Sequence, residues 1–156
     1  MAAVKPIPEG YPRVTPYLAI DGVADAIEFY KRILGATERF RMPGPDGRVG
    51  HAEIQIGDSV IMMADTSPDM NFFDPKKLGN TSVNLVVYVE DVDKTFKAAL
   101  KAGATETQAV EDKFYGDRAG QFEDPWGHRW DVMTHVEDLS PEEMQKRVEA
   151  FTAQQP

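Results

Sequence analysis

Residues 13–20 are the first expected strand, largely apolar from Val14 onward, and the chain turns at Asp21. Apolar positions then recur at helical spacing, at Val23, Ile27, Tyr30 and Leu34, and stop at Gly35-Ala36. Asp21 is the expected N-cap, and Gly35 is expected to close the helix in the left-handed conformation. Strands are expected at 36–42, 48–56 and 59–64, joined by Pro43-Gly44-Pro45-Asp46-Gly47 and by the tight turn Gly57-Asp58. The same order then repeats about 69 residues later. A strand at 82–89 leads into a helix from Val92 to Ala102, with Val92, Phe96, Ala99 and Leu100 on its buried face, ending at Gly103-Ala104. Strands follow near 104–110, 118–123 and 129–135, the last two joined by Asp124-Pro125-Trp126-Gly127.

This pattern predicts an α+β fold of two pseudo-repeated βαβββ modules. The strands would form a curved, mostly antiparallel sheet groove with the helices on the outer face. A half of this size buries too little apolar surface to be comfortably stable alone, so the two are expected to pair within one domain, 1–156. Module one spans 13–64, a connection 65–81, and module two 82–135. The connection is long for a compact domain and carries Met70, Phe72 and Phe73. It either covers the groove or lets the halves exchange between two chains. Lys5 to Pro12 is proline-rich and reads as an extended arm. Ser140-Pro141-Glu142-Glu143 is a capping box opening a C-terminal helix over 140–153, with Met144, Val148 and Phe151 on one side.

Composition narrows the partners. The net charge is −9, from 26 acidic and 17 basic residues, which argues against nucleic acid and against anionic membrane surfaces. There is no apolar run of membrane-spanning length, and Met1 to Tyr11 lacks the apolar stretch of a signal peptide. No cysteine is present, so there is neither a disulfide nor a thiol nucleophile. A cytoplasmic location is the default expectation.

The paired strand–helix–three-strand modules, the Ile27-Glu28-Phe29-Tyr30 helix ending in Leu34-Gly35-Ala36, and the Asp124-Pro125-Trp126-Gly127-His128 turn resemble the vicinal oxygen chelate superfamily. That group includes glyoxalase I, bleomycin-resistance proteins, fosfomycin-resistance thiol transferases and extradiol dioxygenases. The resemblance covers residues 13–135. Gly50-His51-Ala52-Glu53-Ile54 and Tyr115-Gly116-Asp117-Arg118 are similar to a PhnB-like branch. The methyltransferase name sometimes attached to that branch has no support in this sequence, which lacks a glycine-rich turn of the kind a methyl donor needs.

The resemblance implies a divalent metal held from the first and last strands of each module. By register those positions are Thr15, Asn84, Ile61 and Asp131, and only Asp131 is a good ligand. The usual metal site is therefore expected to be missing, and no cofactor is expected. The alternative is Zn, Mn, Ni or Fe held by His51, Glu53, Asp131 and His135, each pair sharing a strand face. His51 beside Glu53 could also serve as a metal-free general base. Arg118 is the candidate anion clamp, against a surface ion pair with Asp117 or Glu123. Trp126 could cover a ligand, Trp130 belongs to the core, and His128 is a turn or surface residue.

The expected substrate-binding set is His51, Glu53, Tyr115, Arg118, Trp126 and Asp131. Two functions lead, beside a third in which the groove has no natural ligand and the chain is an interaction module, with Met144, Val148 and Phe151 serving assembly. One is a glyoxalase/bleomycin-resistance-like protein binding a small molecule in the inter-module groove without the usual metal. The other is a divalent-metal-dependent lyase, isomerase or transferase of glyoxalase or dioxygenase type. Whether the groove is catalytic is left open by the sequence. A homodimer is expected, because an interface between repeated modules extends readily across a two-fold axis.

Overall fold

The computed structural model describes residues 4–154. Residues 1–3 and 155–156, which the sequence reading places in the N-terminal segment and at the end of the domain, lie outside the described residues. The chain divides into two compact units, Met1–Asn80 and Thr81–Pro156.

In the first unit, β1 (Tyr17–Ile20) leads into α1 (Val23–Leu34), followed by β2 (Thr37–Pro43), β3 (Val49–Ile56) and β4 (Ser59–Asp65). The sheet order is β1-β4-β3-β2. β1 runs parallel to β4 and the other pairs are antiparallel. The connection that follows holds a 3-10 turn at Pro68–Met70 and the short helix α2 (Pro75–Leu78), capped by Asp74. In the second unit, β5 (Asn84–Tyr88), α3 (Val92–Lys101), β6 (Thr105–Asp112), β7 (Asp117–Glu123) and β8 (Arg129–His135) repeat that plan in the order β5-β8-β7-β6. α4 (Pro141–Ala153) closes the chain.

Each sheet has one face against its helix and one face without a helix. In the first unit Ala52 and Ile54 of β3 are fully buried with Val23, Ala26, Ile27 and Tyr30 of α1. Period-two alternation then puts His51 and Glu53 on the opposite face. In the second unit Phe122, Trp130 and Val132 lie with Phe96 of α3, and Phe96 meets Phe122 edge-on at 5.9 Å. Trp130 is core, as the sequence implies. Met63 is core as well, whereas Met62 is only partly covered.

The entry into α1 differs from expectation. The N-cap residue is Gly22, in the left-handed region at φ 108°, and as a glycine it has no side chain with which to cap. The capping oxygen comes from β4 instead. Asp65 Oδ1 accepts from the Gly22 and Val23 N–H groups at 2.8 and 3.2 Å, and Oδ2 accepts from Val49 N–H at 2.6 Å. Asp21, the expected cap, pairs with Arg48. In the second unit Asp91 caps α3 in the ordinary way through Lys94 N–H. Thr134, 69 residues after Asp65, accepts from Val92 N–H and donates to the Val89 carbonyl.

Only half of the expected capping box forms at α4. Ser140 Oγ accepts from Glu143 N–H, but the Glu143 carboxylate accepts from Arg147. Arg147 also grips Glu137 with two bonds, and Phe151 stacks on Phe114 at 4.5 Å.

Asp65 should carry more stability than its counterpart. Asp65→Ala leaves three backbone donors without their acceptor and is expected to cost about 3 kcal/mol, against about 1 kcal/mol for Thr134→Ala. Urea unfolding of the two variants measures the difference, and equal losses would contradict this account of α1.

Candidate functional site

The helix-free face of the first sheet brings together residues from every strand of that unit. Register places Tyr17 opposite Met62, Met62 opposite Glu53, and Glu53 opposite Phe40. Met42 lies opposite His51. Across this face runs a chain of hydrogen bonds. The Tyr17 hydroxyl meets His51 Nδ1 at 2.8 Å, and His51 Nε2 meets Glu53 Oε1 at 3.3 Å. Tyr11, from the N-terminal arm, donates to Glu53 Oε2 at 2.8 Å. The Arg39 guanidinium lies 4.5 Å from the centre of the Tyr11 ring and 4.0 Å from Glu53. The Glu53 side chain is only 8% exposed, so this carboxylate is satisfied from within the protein. Burial pushes the Tyr17 phenol up, and its hydroxyl stays protonated through the neutral range.

Tyr17 also stands on the wall of a cleft of about 900 Å³ at the end of this sheet. Pro45, Pro68, Met70 and Phe72 supply apolar walls, and Asp21, Arg48 and Asp65 supply charge. Phe72 meets Tyr17 edge-on at 5.8 Å. The connection therefore touches its own unit through Phe72, and a bridge between Ser67 and Phe72 closes that stretch on itself. Arg48 is held by Asp21 and by the carbonyl and hydroxyl of Thr66.

The second unit carries different chemistry at equivalent positions. Glu53 pairs with Met62 and Gln121 pairs with Asp131, so Ala119 and Gln121 stand where His51 and Glu53 stand in the first unit. Gln121 donates to Asp131 Oδ1 at 2.7 Å and accepts from Thr107. His135 does not bond to Asp131. Its Nδ1 meets Asp117 at 2.7 Å and its Nε2 meets Asp138 at 2.9 Å. Tyr88 donates to the other Asp117 oxygen. Asp138 first, and Asp117 next, hold the His135 imidazolium above its usual range. Tyr115 is partly covered, its phenol raised mainly by burial, with weaker contributions from Asp117 and Asp131. The adjoining Gly116 has φ 94°, and a Cβ there would run into the Glu137 carbonyl. That close approach explains the glycine at position 116.

Several sequence expectations are relocated. Arg118 sits on the helix side of the second sheet. It grips Asp93 of α3 with two bonds of 2.7 and 2.9 Å and reaches Asp112 at 3.0 Å. The ion-pair alternative had Asp117 or Glu123 as its partner; the actual partners are Asp93 and Asp112. Trp126 is fixed in its turn by Asp124, which accepts from the Trp126 and His128 N–H groups and from the Trp130 indole. Asp124 is 2% exposed and organises this whole turn. The Asp-Pro pair opening the turn was the available signal for it. His128 is buried rather than on the surface. Tyr17 and Tyr11 were also missed, because nothing local to either marks them.

The superfamily's metal positions do not fit a metal here. Strand pairing sets Tyr17 opposite Met62 and, 69 residues on, Val86 opposite Asp131. The counterpart of Asp131 is thus Met62, not Ile61. Thr15, Asn84 and Met62 beside one carboxylate make a poor donor set for a hard divalent cation. His51 with Glu53 belongs to one unit and Asp131 with His135 to the other, and each side chain is bonded within its own unit. Among the described residues no group of three or more His, Asp or Glu side chains is placed to hold a metal ion. No helix among them is long and apolar enough to cross a membrane.

The His135 pairing has a signed consequence. Its folded-state pKa is raised, so its contribution to stability is present below the unfolded value and is lost as pH rises through the folded value. An NMR titration should place His135 above an ordinary histidine, and Asp138→Asn and Asp117→Asn should each bring it down. A titration unmoved by both variants would contradict the geometry.

The chain is 40% identical over 137 residues to an uncharacterized protein of Mycobacterium bovis, covering 86% of this chain and 90% of that one. The solved structure of the PhnB protein from Bacillus cereus matches with TM-score 0.64 at 18% identity, covering 79% of this chain and 99% of that one. The fosfomycin resistance protein FosX from Listeria monocytogenes, solved with Mn(II) and sulfate, matches with TM-score 0.62 at 16% identity, covering 88% and 97%. At that identity the two structures attest the fold alone. Residues 12–132 match the Glyoxalase/Bleomycin resistance protein/Dioxygenase superfamily, and the chain belongs to it.

Proposed function

We propose that this protein binds a small organic molecule in the cleft at the end of the first sheet, without a metal. The observation that carries this reading is the cleft itself. Its volume of about 900 Å³ falls in the range of small-molecule sites. Its walls are largely aromatic and aliphatic, from Tyr17, Phe72, Met70 and Pro45, with a few polar groups to orient a ligand. A binding role also fits the divergence of the two units. The His51–Glu53 pair stands in the first unit only, whereas a symmetric metal centre would call for matched donors in both. A metal-dependent lyase, isomerase or transferase has less support, since the donor positions hold Thr, Asn and Met. FosX was solved with Mn(II), but at 16% identity its likeness to this chain extends to the fold alone.

The test is ligand-observed NMR with naphthalene-sized aromatic probes on protein treated with EDTA. Binding is expected to persist without metal and to weaken about tenfold in Phe72→Ala, which strips most of one apolar wall. Binding that appears only after a divalent metal is restored would favour the metal-dependent reading. No binding under either condition would refute the cleft as a ligand site.

A further inference from the structure

The hydrogen-bond chain behind the cleft fixes what Tyr17 can offer a ligand. Glu53 lies at its buried end, with Oε2 taken up by the Tyr11 hydroxyl and Oε1 facing His51. A carboxylate has no hydrogen to give, so His51 Nε2 carries the hydrogen in that contact. In a neutral imidazole the other nitrogen is then an acceptor. The Tyr17 hydroxyl, 2.8 Å from Nδ1, gives its only hydrogen to the ring. Tyr17 is half-exposed on the cleft wall, whereas His51 is not part of the lining. Tyr17 therefore stands in the cleft wall with its hydroxyl hydrogen committed to His51 and the lone pairs of its oxygen still available.

The charge of the cleft narrows the ligand further. Arg48 faces two carboxylates, Asp21 at 3.1 Å and Asp65 at 3.5 Å. One guanidinium between two carboxylates leaves no surplus positive charge to draw an anion, and the whole chain carries −9. The apolar walls favour a flat, weakly polar body.

From this we infer that the cleft selects a neutral or cationic aromatic molecule bearing a hydroxyl or amino hydrogen, which it donates to the Tyr17 oxygen. His51 and Glu53 are positioning residues in this scheme, because they act on the ligand only through the direction of the Tyr17 hydroxyl. The inference rests on the cleft being the ligand site, as proposed above, and adds the ligand's class. The groups that face His51 are Tyr17 from β1, Glu53 from its own strand, and Phe40 from β2, with Arg39 and Tyr11 behind Glu53.

The deciding experiment is a fluorescence titration at pH 8, where a histidine ring is ordinarily neutral. The two probes are 2-naphthol and 2-methoxynaphthalene, which differ in whether the oxygen carries a hydrogen. On the full chain, 2-naphthol is expected to bind about fivefold more tightly than the ether. Tyr17→Phe keeps the ring and its contact with Phe72, and should bring the ratio of affinities close to one. His51→Leu should also reduce the ratio, because the Tyr17 hydroxyl is then released to donate to either probe. Equal affinities in the natural protein, or a ratio unchanged in both variants, would overturn the inference while leaving the cleft as a ligand site. Failure of both probes to bind would overturn the cleft reading itself, and the inference with it.

Discussion

The first unit depends on one carboxylate. Asp65 ends β4, yet it takes the first backbone N–H groups of α1 and the N–H that opens β3. A helix start leaves its N–H groups without intrahelical partners, and the partial positive charge there favours an anion. Asp65 satisfies both needs and locks three elements at one end of the sheet. The cleft sits at that same end, with Asp65 in its wall. The helix, the sheet register and the shape of the candidate site thus share a single fastening.

The second unit solves the same mechanical problem with less charge. Thr134 bridges the end of β5 to the start of α3, and Asp91 provides the cap from within the helix segment. No carboxylate is required at the β8 end, and the polar groups of β8 are used differently. Asp131 engages Gln121, and His135 is clamped between Asp117 and Asp138. The two units keep one backbone plan while their helix-free faces have diverged. A relay centred on His51 marks one, and a carboxylate–imidazolium cluster marks the other.

That divergence separates fold from chemistry. Membership of the superfamily explains the strand order and the helix placement. It does not supply the donors a metal would need, since Met62 and Thr15 occupy positions where hard oxygen or imidazole ligands would be required. The polar residues of the helix-free face in the first unit are instead spent on each other. Tyr17, His51, Glu53 and Tyr11 form a connected series in which the most buried group, Glu53, is fully engaged and the most exposed, Tyr17, stands on the cleft wall.

The sequence by itself determined the repeat, the element order and the two faces of each sheet. Those features follow from periodicity, which is local: a period near 3.6 for α1 and α3, a period of two for the strands, and turn residues between them. Trp130 as core and His51 beside Glu53 on one face follow from alternation alone. Only the tertiary structure decided which partners meet. Tyr17 and His51 are 34 residues apart, Tyr11 and Glu53 are 42 apart, and Gly22 and Asp65 are 43 apart. Arg118 has carboxylates nearby in sequence, but its strand position points it at α3, and Asp93 claims it from 25 residues away. Whether a polar side chain is a structural fastening or is left to face a ligand depends on such distant partners, and local pattern carries no record of them.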